Sequence, residues 1–262
     1  MVTPSSPRRT GPDRGRTWHA HRVERPGFCA MILLLAVACT SPTDPSVVRP
    51  ASNAVPSPTP SSNTGQDPAT TTFAGGIYPL TGQVRRHIRA MNWHPGCPVP
   101  LDDLRLVRVR YWNFRGQVRT GPLVLNQKVA RDVLRVFRRL FRSRFPIHRI
   151  DLAPRPKPID WESTRNLSSS FNCRSATGNP GVPSEHSYGW AVDINPLQNP
   201  YVRSDGSVLR AAARPYRDRT RRRVGMIHPG DVVVRSFAAI GWGWGGNWQT
   251  IKDYMHFSLT GR

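Results

Sequence analysis

The chain has 262 residues, with 38 Lys and Arg against 16 Asp and Glu, so its formal net charge is +22. This balance excludes an acidic, highly soluble cytosolic enzyme as the default class. Nearly all the basic residues are Arg, a bias that a GC-rich genome produces by itself, so the charge alone does not indicate nucleic-acid binding. Only the C-terminal part of the chain is rich enough in apolar and aromatic residues to bury a core.

The first 38 residues have the composition of an export signal. Six Arg residues precede an apolar run from Phe28 to Ala38, which is shorter than the roughly 20 residues that span a bilayer. Residues 1–38 are therefore predicted to be a signal peptide, and the mature chain is predicted to have no transmembrane span. The run ends before Cys39, which fits either ordinary cleavage or a lipoprotein signal. Both alternatives predict an extracytoplasmic protein, secreted or lipid-anchored to the outer face of the cell membrane.

Composition divides the rest of the chain into two further parts. Residues 39–76 are rich in Pro, Ser and Thr and are predicted to form a disordered tether. Residues 77–262 have the size of a single domain with its own core. This domain contains Cys97 and Cys173, and because an exported domain is exposed to oxidation, we predict a disulfide between them. The alternative is two unpaired buried thiols.

The first half of the domain predicts strands followed by a helix. Apolar alternation predicts a strand over Leu104–Trp112, with one solvated basic face, and a short strand over Leu123–Leu125. Asn126 is predicted to cap a helix whose apolar residues recur every three or four positions. Its Arg residues are interpreted as a solvated face, with a site for a specific anionic ligand as the alternative. They are Arg131, Arg135, Arg138, Arg139 and Arg142.

Further elements complete the prediction of the fold class. Pro146 is predicted to end the helix, and Ile147–Leu152 to form another strand. A last helix is predicted to begin at Asp231, as its cap, and to stop at Gly241. Strands, a lone helix and then more strands favour an α+β domain over a doubly wound sheet.

Two short segments contain the residues that could bind a metal ion or transfer a proton. Ser184–Asn195 places His186 before an apolar strand in which Asp193 is the only acidic residue, and an unpaired buried carboxylate is unfavourable. Asp253–Leu259 again combines a carboxylate with His256 in apolar company. A catalytic zinc site needs three protein ligands, an open position for water and a nearby carboxylate. His186, Asp193 and His256 fit the ligand roles, which leaves Asp253 as the general base.

These residues resemble the zinc peptidases of bacterial cell walls, which comprise VanY-type D-Ala-D-Ala carboxypeptidases and L-Ala-D-Glu endopeptidases. The shared pattern is Ser-x-His, a Gly three residues after the His, Ala-x-Asp, and a later carboxylate-x-x-His. Here the carboxylate is Asp, as in the endopeptidase branch, where many carboxypeptidases have Glu. The matching positions are Ser184, His186, Gly189, Ala191, Asp193, Asp253 and His256.

The resemblance implies a fold and further roles. It implies a small, largely antiparallel sheet that lines a zinc cleft, with one Zn²⁺ per chain. Arg174 corresponds to the family's substrate-contacting Arg, which could stabilise an oxyanion, and Ser184 to its substrate-anchoring Ser. The alternatives are an ordinary surface Arg and a turn Ser. Three tryptophans could wall the cleft or simply pack at the domain edge, namely Trp242, Trp244 and Trp248.

The function expected from these features is hydrolysis of peptidoglycan stem peptides by metal-activated water, with Asp253 transferring the proton. The expected partners are peptidoglycan peptides and the anionic cell envelope. A different class is a zinc-containing wall-binding module without turnover, although retention of Asp253 argues against it. Nucleic-acid binding is not predicted, because no groove-reading or RNA-binding motif is present.

Overall fold

The computed structural model describes residues 72–154 and 165–262. The predicted signal peptide and nearly all of the predicted tether lie outside the described residues. In chain order the helices and strands are β1 (Gly75–Pro79), α1 (Gly82–Met91), β2 (Leu104–Trp112), β3 (Val118–Asn126), α2 (Gln127–Arg142), β4 (Ser175–Ala176), β5 (Asn179–Pro183), β6 (Ala191–Asp193), β7 (Tyr201–Val202), α3 (Val232–Ala238), β8 (Gly243–Trp244), β9 (Lys252–Asp253) and β10 (His256–Ser258). Short 3₁₀ helices span Leu101–Asp103, Glu185–Tyr188, Ala211–Tyr216 and Gly245–Asn247.

The first sheet has the order β1-β2-β3 and is antiparallel throughout. The predicted strand Leu104–Trp112 is confirmed with the same bounds, whereas β3 is longer than predicted and begins at Val118. β1 takes in Gly75 and Gly76, the last two residues of the predicted tether. The sheet thus forms one layer of the domain, against which helix α2 packs.

Helix α2 begins where the sequence predicts. The side chain of Asn126 accepts a hydrogen bond from the backbone N–H of Lys128 at 3.0 Å, which satisfies one of the free donors of the first turn. The apolar face of α2 is buried in the main core together with residues of β2, β3, β6, β8 and β10. The helix ends at Arg142, so it stops before Pro146.

The predicted strand over Ile147–Leu152 is wrong. Only isolated bridges occur there, from Pro146 to Trp112 and from Ile150 to Ser168. Two backbone N–H groups of this segment bind side chains instead: that of His148 donates to the amide oxygen of Asn195, and that of Ile150 donates to the hydroxyl of Tyr111. The N–H of Ile147 still donates to the backbone carbonyl of Trp112. Side chains from distant parts of the chain therefore interrupt the ladder that a strand would need.

The last helix, α3, follows Asp231 as predicted, but the carboxylate does not cap it. Asp231 accepts instead from the backbone N–H of His228 at 2.8 Å. The helix ends at Ala238, shorter than predicted, and Gly241 adopts the left-handed conformation with φ of 80°.

The second three-stranded sheet has the order β6-β10-β8, and its described pairs are antiparallel. Two smaller pairs, β4-β5 and β7-β9, are also antiparallel. Helices combined with small antiparallel sheets confirm the predicted α+β class. Among the described residues, no helix is long and apolar enough to cross a membrane.

A disulfide joins Cys97 and Cys173, the pair that the sequence predicts. Cys97 follows helix α1, and the backbone N–H of Cys173 donates to the carbonyl of Asn92 at the end of that helix. The segment that precedes Arg174 is therefore tied to α1 both covalently and by a hydrogen bond.

Candidate metal centre

The antiparallel pair β6-β10 brings two of the predicted ligands together. Asp193 and His256 are directly opposite each other in the register of these strands. Side chains of such a pair project from the same face of a sheet. Strand pairing alone therefore places a carboxylate beside an imidazole, although 63 positions separate them in the chain.

The third predicted ligand comes from a 3₁₀ helix just before β6. Ser184 caps this helix, and its hydroxyl accepts from the N–H of His186 at 3.4 Å. Gly189 ends it in the left-handed conformation, with φ of 69° and N–H contacts to the carbonyls of Glu185 and His186. A Cβ at Gly189 would lie 2.6 Å from the backbone nitrogen of Asn126. The turn that connects His186 to β6 therefore requires glycine at position 189.

The three side chains converge in a buried cluster. Nε2 of His186 lies 3.2 Å from Oδ2 of Asp193 and 3.2 Å from Nδ1 of His256. Nδ1 of His256 lies 3.2 Å from Oδ1 of Asp193. All three residues are at most 5% exposed. One ligand atom from each lies within 4.8 Å of the others, as a shared metal ion would require.

Both imidazoles are held by main-chain oxygen atoms on the side away from the cluster. Nδ1 of His186 hydrogen-bonds the carbonyl oxygen of Ser170, and Nε2 of His256 hydrogen-bonds the main-chain oxygen of Arg262 at 3.0 Å. These oxygen atoms only accept, so each of the two ring nitrogens carries the proton. The lone pairs of Nε2 in His186 and Nδ1 in His256 then face the cluster, which is the tautomer pair that a metal ion needs.

Charge also favours a cation in the cluster. Burial acts to raise the pKa of Asp193, but the neighbouring imidazoles of His186 and His256 outweigh it and hold that pKa below its ordinary range. Burial lowers and the contact with Asp193 raises the pKa of His256, and the net result is a raised pKa. The carboxylate thus stays ionised and attracts positive charge, whether from protons on the imidazoles or from a metal ion.

Asp253, the predicted general base, lies on β9 opposite Tyr201 of β7. Its Oδ1 is buried and has no hydrogen-bond partner among the described residues. Burial, and next the charge of Asp193, raise the pKa of Asp253 to about 7, while His256, His186 and Arg174 act in the opposite direction. A carboxyl group with such a pKa can both take and return a proton near neutral pH.

These groups open into one cleft of about 720 Å³. Its lining includes His186, His256 and Asp253, together with Arg174 and Ser184. The structure therefore brings together the predicted ligands, the predicted base and both predicted substrate-contacting residues. The hairpin β4-β5 supplies one wall of this cleft, through Ala176, Asn179, Val182 and Pro183.

Arg174 and Ser184 also have structural contacts. The N–H of Arg174 donates to the hydroxyl of Ser187 at 2.9 Å, and its guanidinium donates to the carbonyl of Ser175 at 3.1 Å. The N–H of Ser184 donates to the carbonyl of Arg174 at 3.0 Å. Ser184 is 7% exposed and caps the 3₁₀ helix that contains His186, so it helps to hold this predicted ligand in place.

Of the three tryptophans, one lines the cleft, and the other two are buried in the core rather than packed at the domain edge. Trp248 lines the cleft, with its ring 5.6 Å from that of His256. Trp242 and Trp244 are 4% and 3% exposed and belong to the main core. The cleft also contains Trp190, which stacks on Tyr188 at 4.7 Å.

Sequence reasoning missed the groups that support the cluster. The hydroxyl of Ser170 donates to the carbonyl of Val124 and accepts from its N–H, at 2.7 and 2.8 Å, which fixes the carbonyl that orients His186. The hydroxyl of Ser258 donates to the main-chain oxygen of Arg262, which is also the acceptor for His256. Backbone carbonyls leave no signal in a sequence, so only the fold could reveal these supports.

The geometry defines a class of site, namely a buried His-Asp-His cluster with a separate carboxyl group in a cleft. Residues 177–259 match the family model described as D-alanyl-D-alanine carboxypeptidase. This segment contains Ser184, the three predicted ligands and Asp253, whereas Arg174 precedes it. Over this segment, the match confirms the resemblance to the VanY-type family of cell-wall peptidases. Searches of the curated proteins and of the solved structures found no match.

Proposed function

We propose that this protein is a zinc-dependent peptidase that hydrolyses amide bonds in peptidoglycan stem peptides, of the D-Ala-D-Ala carboxypeptidase or the L-Ala-D-Glu endopeptidase type. The family match supports, at family level, a peptidase that acts on peptidoglycan. The observation that carries the finer proposal is the convergence of His186, Asp193 and His256 beside Asp253 in one cleft.

The donor set fits zinc. Two imidazole nitrogens and a carboxylate oxygen are ligands typical of catalytic zinc sites, which keep a further position open. The main-chain oxygen atoms of Ser170 and Arg262 would fix the orientation of the two rings, as hydrogen-bond acceptors behind zinc-bound histidines do. When bound, zinc would act as a Lewis acid that lowers the pKa of a coordinated water molecule towards neutrality.

The remaining steps belong to the protein's own side chains. Asp253 would take the proton from the attacking water and return it to the leaving amine, for which its free Oδ1 and raised pKa are suited. A cation in the cluster would lower that pKa and favour the ionised, accepting form. Arg174, which lines the same cleft, would face the carbonyl oxygen on which negative charge develops.

The family and the predicted export signal support the same location. A cell-wall peptidase acts outside the cytoplasm, where its substrate is. We propose that residues 1–38 direct export and that the Pro/Ser/Thr-rich residues between Cys39 and the folded domain form the tether, which ends before β1. Secretion and lipid attachment at Cys39 are the two outcomes of signal processing. Mass spectrometry of the mature N-terminus distinguishes them.

The proposed base is tested by Asp253→Asn, a nearly isosteric change that removes the acceptor without removing a metal ligand. We expect zinc content to be retained and hydrolysis to fall about 100-fold to 10,000-fold, the usual range for general-base catalysis. Mass spectrometry of digested muropeptides gives the readout. Loss of one terminal Ala identifies a carboxypeptidase, and a released peptide that begins with D-Glu identifies an endopeptidase.

Two outcomes of this experiment would contradict the proposal in different ways. A fully active Asp253→Asn variant would move the base elsewhere, with Glu185 in the cleft as the next carboxylate to change. A wild-type protein that holds zinc and binds peptidoglycan, but releases no fragment, would support the alternative of a wall-binding module without turnover.

A further inference from the structure

A second cavity lies apart from the cleft and shares no lining residue with it. It has a volume of about 480 Å³ and is formed where β2 ends, at the C-terminal end of α2 and at the residues before β1. Three of its seven lining residues are arginines, namely Arg138, Arg142 and Arg144. The other lining residues are Thr72 and the aromatic residues Phe73, Trp112 and Phe141.

Within residues 72–154 and 165–262, the three arginines have no counter-charge. Among these described residues, no carboxylate lines the cavity, and none of the three guanidinium groups forms an ion pair or a hydrogen bond. The acidic residue of the same helix, Asp132, is occupied by Arg135 at 2.7 Å. Arg138 and Arg142 are four positions apart on α2, where like charges face each other and repel. Bound anions would relieve this repulsion.

Aromatic rings hold two of these groups in place. The guanidinium of Arg138 lies 5.6 Å from the ring centre of Phe73, and that of Arg144 lies 4.9 Å from the ring centre of Trp112. Such contacts reduce the freedom of the side chains while leaving the N–H edges available. Arg144 also adopts a positive φ of 51°, which a non-glycine residue rarely does. A long basic side chain thus stands at a turn where glycine is usual.

We propose that this cavity binds a polymer of polyol or sugar units linked by phosphodiesters, of the kind that gives a cell envelope its negative charge. The planar guanidinium fork matches the oxygen atoms of a phosphate group, to which it donates two parallel hydrogen bonds. Three such groups in one cavity match a ligand with several phosphates better than a single small anion. The cavity would thereby hold the domain on the envelope, independently of the proposed hydrolysis.

The aromatic residues favour this ligand over nucleic acid. Single-stranded nucleic acids need open aromatic faces on which bases stack. Here Arg138 lies over the ring of Phe73 and Arg144 over that of Trp112, and Trp112 also stacks on Phe141 at 5.5 Å. The N–H edges of arginine, rather than open ring faces, are therefore what the cavity offers.

The test compares two triple variants that remove the same charge. One carries Arg138→Gln, Arg142→Gln and Arg144→Gln. The matched control carries Arg115→Gln, Arg131→Gln and Arg139→Gln, three exposed arginines outside the cavity. Binding of poly(glycerol phosphate) to the folded proteins is measured by calorimetry at physiological salt, where general surface attraction is screened.

We expect the cavity variant to lose at least about tenfold in affinity, as the loss of charge-assisted hydrogen bonds implies, and the control to stay within about twofold. A variant with Arg138→Lys, Arg142→Lys and Arg144→Lys keeps the charge but loses the planar guanidinium groups. Its affinity for the polymer should lie between those of the wild type and the Gln variant. The guanidinium of Arg142 forms no hydrogen bond or ion pair within the described residues. Arg142→Gln alone should therefore weaken binding without lowering Tm.

Several results would overturn the proposal. If both triple variants lose the same affinity for the polymer, the effect is one of overall charge and not of this cavity. If the wild-type protein does not bind the polymer, the proposal is wrong. The wild-type protein could instead bind a DNA oligonucleotide or phosphatidylglycerol vesicles through the same three arginines and fail to bind the polymer. That result would assign the cavity to a different ligand. Hydrolysis of muropeptides by the cavity variant should equal that of wild type in solution, which separates this proposal from the proposed activity.

Discussion

Gly189 ends the turn that contains His186, so its backbone conformation affects the candidate metal centre. Gly189→Ala tests both the need for glycine in this turn and the effect of the turn on metal binding. The residue has φ of 69°, and an added Cβ would lie 2.6 Å from the backbone nitrogen of Asn126. The left-handed conformation costs alanine about 1–2 kcal/mol. The contact with β3 forces backbone to shift, as overpacking does, at a further cost of about 1–3 kcal/mol.

The matched control is Gly230→Ala, because Gly230 has φ of 74° and nothing within 4 Å of an added Cβ. Both variants lose the conformational freedom of glycine, and only Gly189→Ala meets a neighbour. Urea unfolding should therefore show a loss of about 2–5 kcal/mol for Gly189→Ala and about 1–2 kcal/mol for Gly230→Ala. The zinc affinity should fall only in the first, since Gly189 follows His186 in the same turn. Equal stability of the two variants would refute the steric argument.

Three other predictions concern the same region. Replacing Cys97 and Cys173 by Ser should lower the free energy of unfolding by about 4 kcal/mol, because the disulfide closes a separation of 76 residues; free alkylatable thiols in exported wild-type protein would contradict the pairing. Ser170→Ala should cost about 1–3 kcal/mol and weaken zinc binding, because it removes both hydrogen bonds to Val124. Ser169→Ala is its control, since that hydroxyl has no partner among the described residues, and equal effects of the two changes would argue against a role for Ser170 in orienting His186. Elemental analysis should find one zinc per wild-type chain and little in a variant with His186→Ala and His256→Ala, whereas full occupancy in that variant would disprove the ligand assignment.

Local patterns in the sequence were sufficient for the elements whose partners lie nearby. The strand Leu104–Trp112 and the cap at Asn126 depend on alternation and on a hydrogen bond across two residues. Helix α1 and strand β1 were not predicted, although both are present. α1 has one fully buried residue, Ile88, and four of the five residues of β1 are exposed, so their apolar patterns are weak.

The strand predicted over Ile147–Leu152 failed for a different reason. Its apolar residues do enter the core, as Ile147 and Ile150 show. However, the backbone donors of His148 and Ile150 bind the side chains of Asn195 and Tyr111. An apolar run predicts burial correctly, but it does not specify which groups satisfy the backbone.

For the candidate site, the sequence by itself determined the chemical types of the residues and their spacing. The tertiary structure decided that His186, Asp193 and His256 meet, because the pairing of β6 with β10 joins residues 63 positions apart. It also decided which ring nitrogens face inward, because the main-chain oxygen atoms of Ser170 and Arg262 fix the tautomers. Long-range pairing and backbone acceptors are independent of local residue type, which is why the sequence could suggest candidate ligands but only the fold could show how their side chains are oriented.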